Sequence, residues 1–171
     1  MPHLNQVLAL FFPALMAFAA SSDIFTMTIS NRVSGALVAG YLVFAFATGV
    51  PAAEVASNFS CGLAVLAITF GMFAAGWIGG GDAKLAAATA VWTGWGFALA
   101  YATVASVLGG VLTYAVVIGR GSDLPPFVER WTWLRRLHSP TSGVPYGVAL
   151  AAAGLLVYPE TPIWRAIASF Q

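Results

Sequence analysis

The chain has 171 residues, of which 60% are apolar and only 8% are charged, against about 25% charged in an ordinary soluble domain. A chain of this size has too little interior to hide so much apolar surface, which excludes disorder and a soluble globular fold and leaves an integral membrane protein made of helices. The net charge of +1 argues against a nucleic-acid surface built on phosphate contacts, and the single cysteine, Cys61, excludes an internal disulfide and a multi-cysteine zinc module.

A lipid-spanning helix needs roughly 20 apolar residues, so the spans are read from the gaps between charges. Residues 1–22 carry no Asp, Glu, Lys or Arg and give a first span over about 4–22. Ala17-Phe18-Ala19 resembles a signal-peptidase site, but the segment ahead of it holds only His3 and no Lys or Arg, so this span is expected to be retained. Asp23 closes it directly after Ser21-Ser22. The gaps 33–53 and 55–81 give spans over 33–51 and 58–79, the second leading into Gly79-Gly80-Gly81-Asp82. The gap 85–119 would be about 52 Å long as one straight helix, far more than a hydrocarbon core of about 30 Å. Gly94 and Gly96, around Trp95, mark a break and split it into spans over 83–95 and 97–119. Residues 120–142 form the long polar connection. Within it Phe127, Trp131 and Leu134 fall at helical spacing, with Glu129, Arg130 and Arg136 elsewhere around the turn. That pattern suits a short helix lying in the membrane interface. The gap 139–159 gives a last span over 143–165.

The expected fold is therefore an all-α membrane protein: one domain over 1–171, a polytopic bundle of about six transmembrane helices with a short cytoplasmic interfacial helix. With six spans, Arg32, Lys84, Arg120, Arg130, Arg135 and Arg136 share one side and Arg165 lies near the other. The positive-inside rule makes the first side cytoplasmic, with both termini on the opposite side. Merging 85–119 into one helix would strand the arginine-rich loop opposite Arg32 and Lys84.

Four of the six acidic residues read as solvated: Asp123 and Glu129 in the polar loop, Glu54 and Glu160 at the opposite side's span ends. Asp23 and Asp82 differ. Both lie at the cytoplasmic membrane boundary, where an ionised carboxylate is costly unless paired or hydrated. Taken singly, each reads as a helix-end charge, Asp82 especially, with Lys84 two residues on. Taken together, the topology puts both at equal depth on one side. Two carboxyls that approach each other cannot both ionise cheaply. The ionised one can take a proton from water while the protonated one donates to an amide carbonyl, and water attacks without a covalent intermediate. The pair titrates as a unit, so neither role belongs to a particular residue. Gly79, Gly80 and Gly81 lack a Cβ and let another backbone come close. They admit an extended substrate segment by strand addition, or they simply end the third span and permit tight packing.

Gly79-Gly80-Gly81-Asp82 with Lys84 reads G-x-G-D-x-K and resembles the GxGD intramembrane aspartyl peptidases, specifically the type IV prepilin peptidases. Those enzymes carry an aspartate at the end of a span, followed six to eight residues later by Ile-Pro-Asn. Here Asp23 is followed by Ile29-Ser30-Asn31. Gly143-Val144-Pro145-Tyr146-Gly147-Val148-Ala149 is similar to the Pro-Tyr-Gly stretch that opens the last span of the family, and Gly109-Gly110 is also similar. The resemblance runs from about residue 20 to 155. It is nearest to the short CpaA/TadV subgroup associated with Flp-type (tight adherence) pili. It implies a bacterial inner-membrane aspartic endopeptidase whose catalytic pair is Asp23 and Asp82. Asn31, Gly79, Gly80, Gly81 and Lys84 are implied as orienting residues, and Pro145 and Tyr146 either shape the site wall or pack in the core. Asn31 would orient the loop after Asp23, and Lys84 would favour an ionised aspartate or reach the headgroups. The implied substrates are prepilin- and pseudopilin-like membrane proteins with a short basic leader, with the lipid bilayer and the pilus assembly machinery as further partners. The amino-terminal zinc insert of longer members is not expected, nor their methyltransferase activity, and no cofactor is implied. Ser30 departs from the family's proline, which would fix the chain's exit from the first span. His3 and His138 lack partners in sequence, and nothing has metal-ligand spacing.

Two other readings use the same residues. A small proton- or cation-coupled transporter or channel subunit would use its membrane acids for ion binding, but would hold them near the midplane rather than at span ends. A non-enzymatic assembly subunit of a pilus machine would find both aspartates dispensable.

Overall fold

A proline in the first turn opens α1 (Pro2–Thr26), a position where its missing N–H breaks no helical bond. The computed structural model describes residues 2–122, 125 and 130–168, and these form helices and turns with no strand among them. At the end of α1, Met27 takes a left-handed backbone (φ 55), and its N–H closes on the Asp23 carbonyl at 2.8 Å. Such a conformation costs a non-glycine residue roughly 1–2 kcal/mol. The turn sends the chain back beneath Asp23. α2 (Asn31–Thr48) is capped by Ser30, whose Oγ accepts from the Arg32 N–H at 3.2 Å. Ser30 sits at φ −66, the value a proline ring imposes. A capping hydrogen bond thus holds the chain where the family's proline would. α3 (Ala52–Ala74) follows a short turn through Pro51 and ends before Gly76.

α4 (Gly80–Arg120) is interrupted at Gly94, whose φ of 63 and ψ of 179 are not helical. Asp82 and Ala105 line one cavity, yet a straight helix would separate them by about 35 Å. The chain therefore reverses at Gly94, and α4 is a hairpin with arms 80–93 and 95–120. The break expected inside the long uncharged run falls on the first of the two glycines around Trp95.

α5 (Thr132–His138) is a seven-residue surface helix, with no buried side chain, in the polar connection. Trp131 stacks on Trp133 at 6.1 Å, and Trp133 meets Phe25 of α1 edge-on at 5.7 Å. Phe127, Asp123 and Glu129, also assigned to this connection from the sequence, lie outside the described residues.

The single last span expected over 143–165 is replaced by α6 (Tyr146–Val157), a 3-10 turn (Tyr158–Glu160) and α7 (Pro162–Ala168). Pro159 and Pro162 lack the N–H that would continue the helix. Thr161 restarts it, its Oγ1 donating to the Tyr158 carbonyl at 2.7 Å and accepting from the Trp164 N–H at 3.3 Å. α6 is about 18 Å long, too short to cross a bilayer alone. It buries Ala149, Leu150, Ala151 and Ala153 against α1 and α4.

Trp92, near the end of the first α4 arm, centres the core. Phe11, Phe12, Tyr41, Phe44 and Tyr158 surround it, and its indole N–H donates to the Leu37 carbonyl at 2.9 Å. Outward, large apolar side chains are bare: Phe46 is 91% exposed and Leu99 80%. Patches of that kind on α1 to α4 demand lipid rather than water. α1, α3 and α4 each contain a stretch long and apolar enough to cross a membrane, and the chain is an all-α membrane protein.

Candidate active site

One end of the bundle gathers Asp23, Asn31, Arg32, Lys84, Arg120 and Arg136. Glu54, Gly94, Glu160 and Arg165 lie at the other. Asp23, in the last turn of α1, is 5% exposed, and its Oδ2 accepts the Gly147 N–H at 2.8 Å. Gly147 is the second residue of α6, so Asp23 satisfies an N–H that the helix itself cannot, at the positive end of the α6 dipole. A Cβ on Gly147 would stand 2.8 Å from the Asp23 Oδ2 and would collide with the Ile29 Cδ1. Only glycine lets the carboxylate and the helix start meet.

Asp82 is the third residue of α4, and its Oδ2 accepts the Gly79 N–H at 3.2 Å. The helix-end reading of Asp82 is thus realised, but it uses one oxygen. The carboxyl also lines a cavity of about 210 Å³ between α3, the two arms of α4 and α6. Ile29 joins the two aspartates. Its side chain lies against Gly147 beside Asp23, and its backbone crosses Gly81 beside Asp82, where a Cβ would stand 3.2 Å from the Ile29 carbonyl oxygen. Gly81 therefore serves a close backbone approach. No hydrogen bond joins the two carboxyls among the described residues, and Ile29 is set against the surroundings of both.

The remaining sequence candidates fall around this pair. Lys84 Nζ donates to Asn31 Oδ1 at 2.8 Å, tying the first turn of α2 to α4. Gly80 packs on the Phe73 ring. Pro145 occupies the N-cap position of α6. Tyr146 lines the Asp82 cavity, seats its ring on Gly109 and donates its hydroxyl to the Ala105 carbonyl at 3.3 Å.

Two arginines, Arg120 read from the sequence for topology alone and Arg136 read also as part of the interfacial helix, hold this end of the bundle together. Arg120 donates through Nε to the Leu137 carbonyl and through Nη2 to the Ser142 and Gly143 carbonyls, each at 2.9 Å. Arg136 donates to the Phe25 carbonyl at 3.2 Å. Together they clamp the polar connection onto the ends of α1 and α4, which fixes where Gly147 meets Asp23. Their positions in a basic loop carry no local signal of this. Gly147 lies in the Pro-Tyr-Gly stretch, but its contact with Asp23 spans 124 residues.

A family model described as the type IV leader peptidase family matches residues 10–114. The match contains Asp23, Asn31, Gly79 to Asp82 and Lys84, and stops short of Pro145 and Tyr146. No curated protein and no solved structure matches the chain.

Proposed function

Because the chain belongs to the type IV leader peptidase family, we propose that it removes the short basic leader of prepilin-like substrates, of the Flp type, with Asp23 and Asp82 as its catalytic carboxyls. The observation that carries this reading is the convergence of Asp23 and Asp82, from α1 and α4, on Ile29 at the basic end of the bundle. By the positive-inside rule that end faces the cytoplasm, and the membrane is then the bacterial inner membrane. The leader stays in the cytoplasm, the apolar helix of the substrate sits in lipid, and the scissile bond falls at the depth of the two acids.

The chemistry needs one ionised and one protonated carboxyl. Water adds its oxygen to the carbonyl carbon, giving a proton to the ionised carboxyl while the protonated one gives its proton to the carbonyl oxygen. The gem-diol then returns a proton to the carboxyl that lost one. The C–N bond breaks as the amide nitrogen takes a proton from the other carboxyl. The products are one carboxylic acid and one amine, and the pair is back in its starting state.

The test is the purified chain in liposomes with a Flp-type prepilin, the cut located by mass spectrometry. A single cut between the basic leader and the apolar helix is expected. An intact substrate, or cuts scattered along it, would refute the assignment. Gly147→Ala is expected to slow this cleavage about 100-fold, since a carboxylate moved by about 1 Å loses that much. Initial rates check it, and a rate within a few-fold of the parent would show that the Gly147 contact does not position Asp23.

A further inference from the structure

The cavity that Asp82 lines is open on one side. It runs between α3 and the second arm of α4, over a closed wall that includes Ala86 and Leu150, both buried. Ile68 on α3 is 65% exposed, and Ala102 and Ser106 on the second arm are exposed as well, although all three line the cavity. A residue that lines a cavity and still meets the surroundings marks its mouth. Both helices contain membrane-crossing stretches, so the mouth faces lipid, and the cavity is a cleft that opens sideways into the bilayer. The reversal at Gly94 orients it. Ser106 follows the turn by as many residues as Asp82 precedes it, so the two are level at the basic end of the bundle. Ala98 comes two helical turns before Ser106, about 12 Å deeper in the membrane. Ala98, Ala102 and Ser106 fall on one face of the arm, and such small side chains let another helix come close. Across the cleft stand Ile68 and Met72 of α3. Asp82, half-buried at the basic end, spends one oxygen on the Gly79 N–H. A second groove is larger, about 480 Å³ between α2, α3 and the first arm of α4, and Gly35 and Lys84 line it, but neither aspartate does.

We propose that the cleft between α3 and the second arm of α4 is where the apolar helix of the substrate docks, entering sideways from the bilayer, with the scissile bond at the Asp82 end and the first turns of the helix laid along Ser106, Ala102 and Ala98. The proposal rests on the peptidase reading and adds to it the place of entry. The occupant follows from covalent reach. A bond attacked beside Asp82 carries the next Cα only about 3.8 Å further on. The residues after the cut therefore run along the space that adjoins Asp82, and the cleft is the described cavity that does so. The leader stays at the basic end, so the apolar helix runs the other way, in the direction in which the cleft deepens. Its walls suit that helix, since they are mainly apolar and carry small residues on the arm where two backbones would meet.

Disulfide trapping tests it, in liposomes with the same prepilin and with Asp23→Asn in the chain so that bound substrate stays intact. A single cysteine is placed at Ala102 in the cleft or at Gly35 in the other groove, and one at a time along the apolar helix of the prepilin. Cys61 is buried and stays apart from the reaction. Ala102→Cys is expected to trap prepilin positions within about two turns of the cut, recurring every three or four residues, while Gly35→Cys traps none. Trapping through Gly35→Cys instead, trapping through neither, or disulfides between two copies of this chain would overturn the proposal, the second leaving the cleft to lipid and the third to a dimer. Added bulk gives a second measurement. Ala102→Phe is expected to raise the KM for prepilin about tenfold, the loss of one close helix contact, with kcat within about threefold. Its thermal midpoint should stay within about 2 °C of the parent, because residue 102 is exposed. Gly35→Phe, at an open position of the other groove, should process prepilin as the parent does. An unchanged KM in Ala102→Phe, or an equal rise in both variants, would overturn the proposal. If Ala102→Phe does not fold, the disulfides alone decide. The parent chain keeps the two levels apart. Prepilin that the parent cuts but that is trapped only through Gly35→Cys removes the docking cleft alone, whereas prepilin that the parent leaves intact removes the peptidase reading.

Discussion

Asp23→Asn and Asp82→Asn are each expected to lower leader cleavage by about 1,000-fold or more, and the double variant is expected to be no slower than the worse single one. In the proposed cycle each carboxyl accepts one proton and donates another in every turnover, and a positioned acid–base group contributes about 10²–10⁴-fold. An amide can do neither. The two groups exchange protons within one cycle, so removing either disables the unit, and losses within such a unit do not add. The substitutions spare the architecture. Asn at 23 keeps an oxygen for the Gly147 N–H, and Asn at 82 keeps one for the Gly79 N–H. The same prepilin, quantified as precursor and mature forms over time, reads the rates. Additive losses in the double variant would mean that the aspartates act independently. Near-normal processing by both single variants would leave them only their roles at the helix ends, and the water-activation scheme would fall.

What the sequence discloses about this site follows the range of each interaction. The reversal within α4 is legible because its signal is local: an uncharged run too long for one bilayer crossing, with glycines near its middle. The shared end of Asp23, Lys84 and Arg120 is legible because Lys and Arg report the ends of spans directly. Gly81 shows its use through its neighbours, since a chain segment can approach only where no Cβ stands. The Asp23–Gly147 bond and the Arg120 clamp depend on how α1, α4 and α6 pack, and no periodicity encodes a contact across so many residues. The division of the last segment at Pro159 is a misjudged boundary. The uncharged gap is long enough for a span, and counting charges overlooks the two prolines that cut it.

The hairpin itself sets the second large effect. Gly94→Ala is expected to lower the thermal midpoint in detergent by roughly 5–10 °C and cleavage to about 1% of the parent or less. The backbone at φ 63 and ψ 179 belongs to a region that is essentially closed to residues with a Cβ, at a cost of order 1–3 kcal/mol. The added methyl would also stand 2.5 Å from the Asn58 Oδ1. Asn58 cannot simply turn away, because its Nδ2 is held by Tyr41, which is fully buried beside Trp92. The strain is relieved by opening the hairpin, which withdraws Ala105 from the cavity of Asp82. Asn58→Ala in the same chain removes the collision but not the forbidden dihedral, so the pair is expected to regain only part of the lost midpoint. Cysteines placed at Ala86 and Ala102, which share that cavity, report the geometry directly. In the folded hairpin a short bifunctional reagent joins them, whereas a straightened α4 would hold them about 24 Å apart. Cys61 is buried and takes no part. Full cross-linking and an unchanged midpoint in the Gly94→Ala chain would show that the reversal does not depend on glycine, and the opposition of Asp82 and Ala105 would then need another cause.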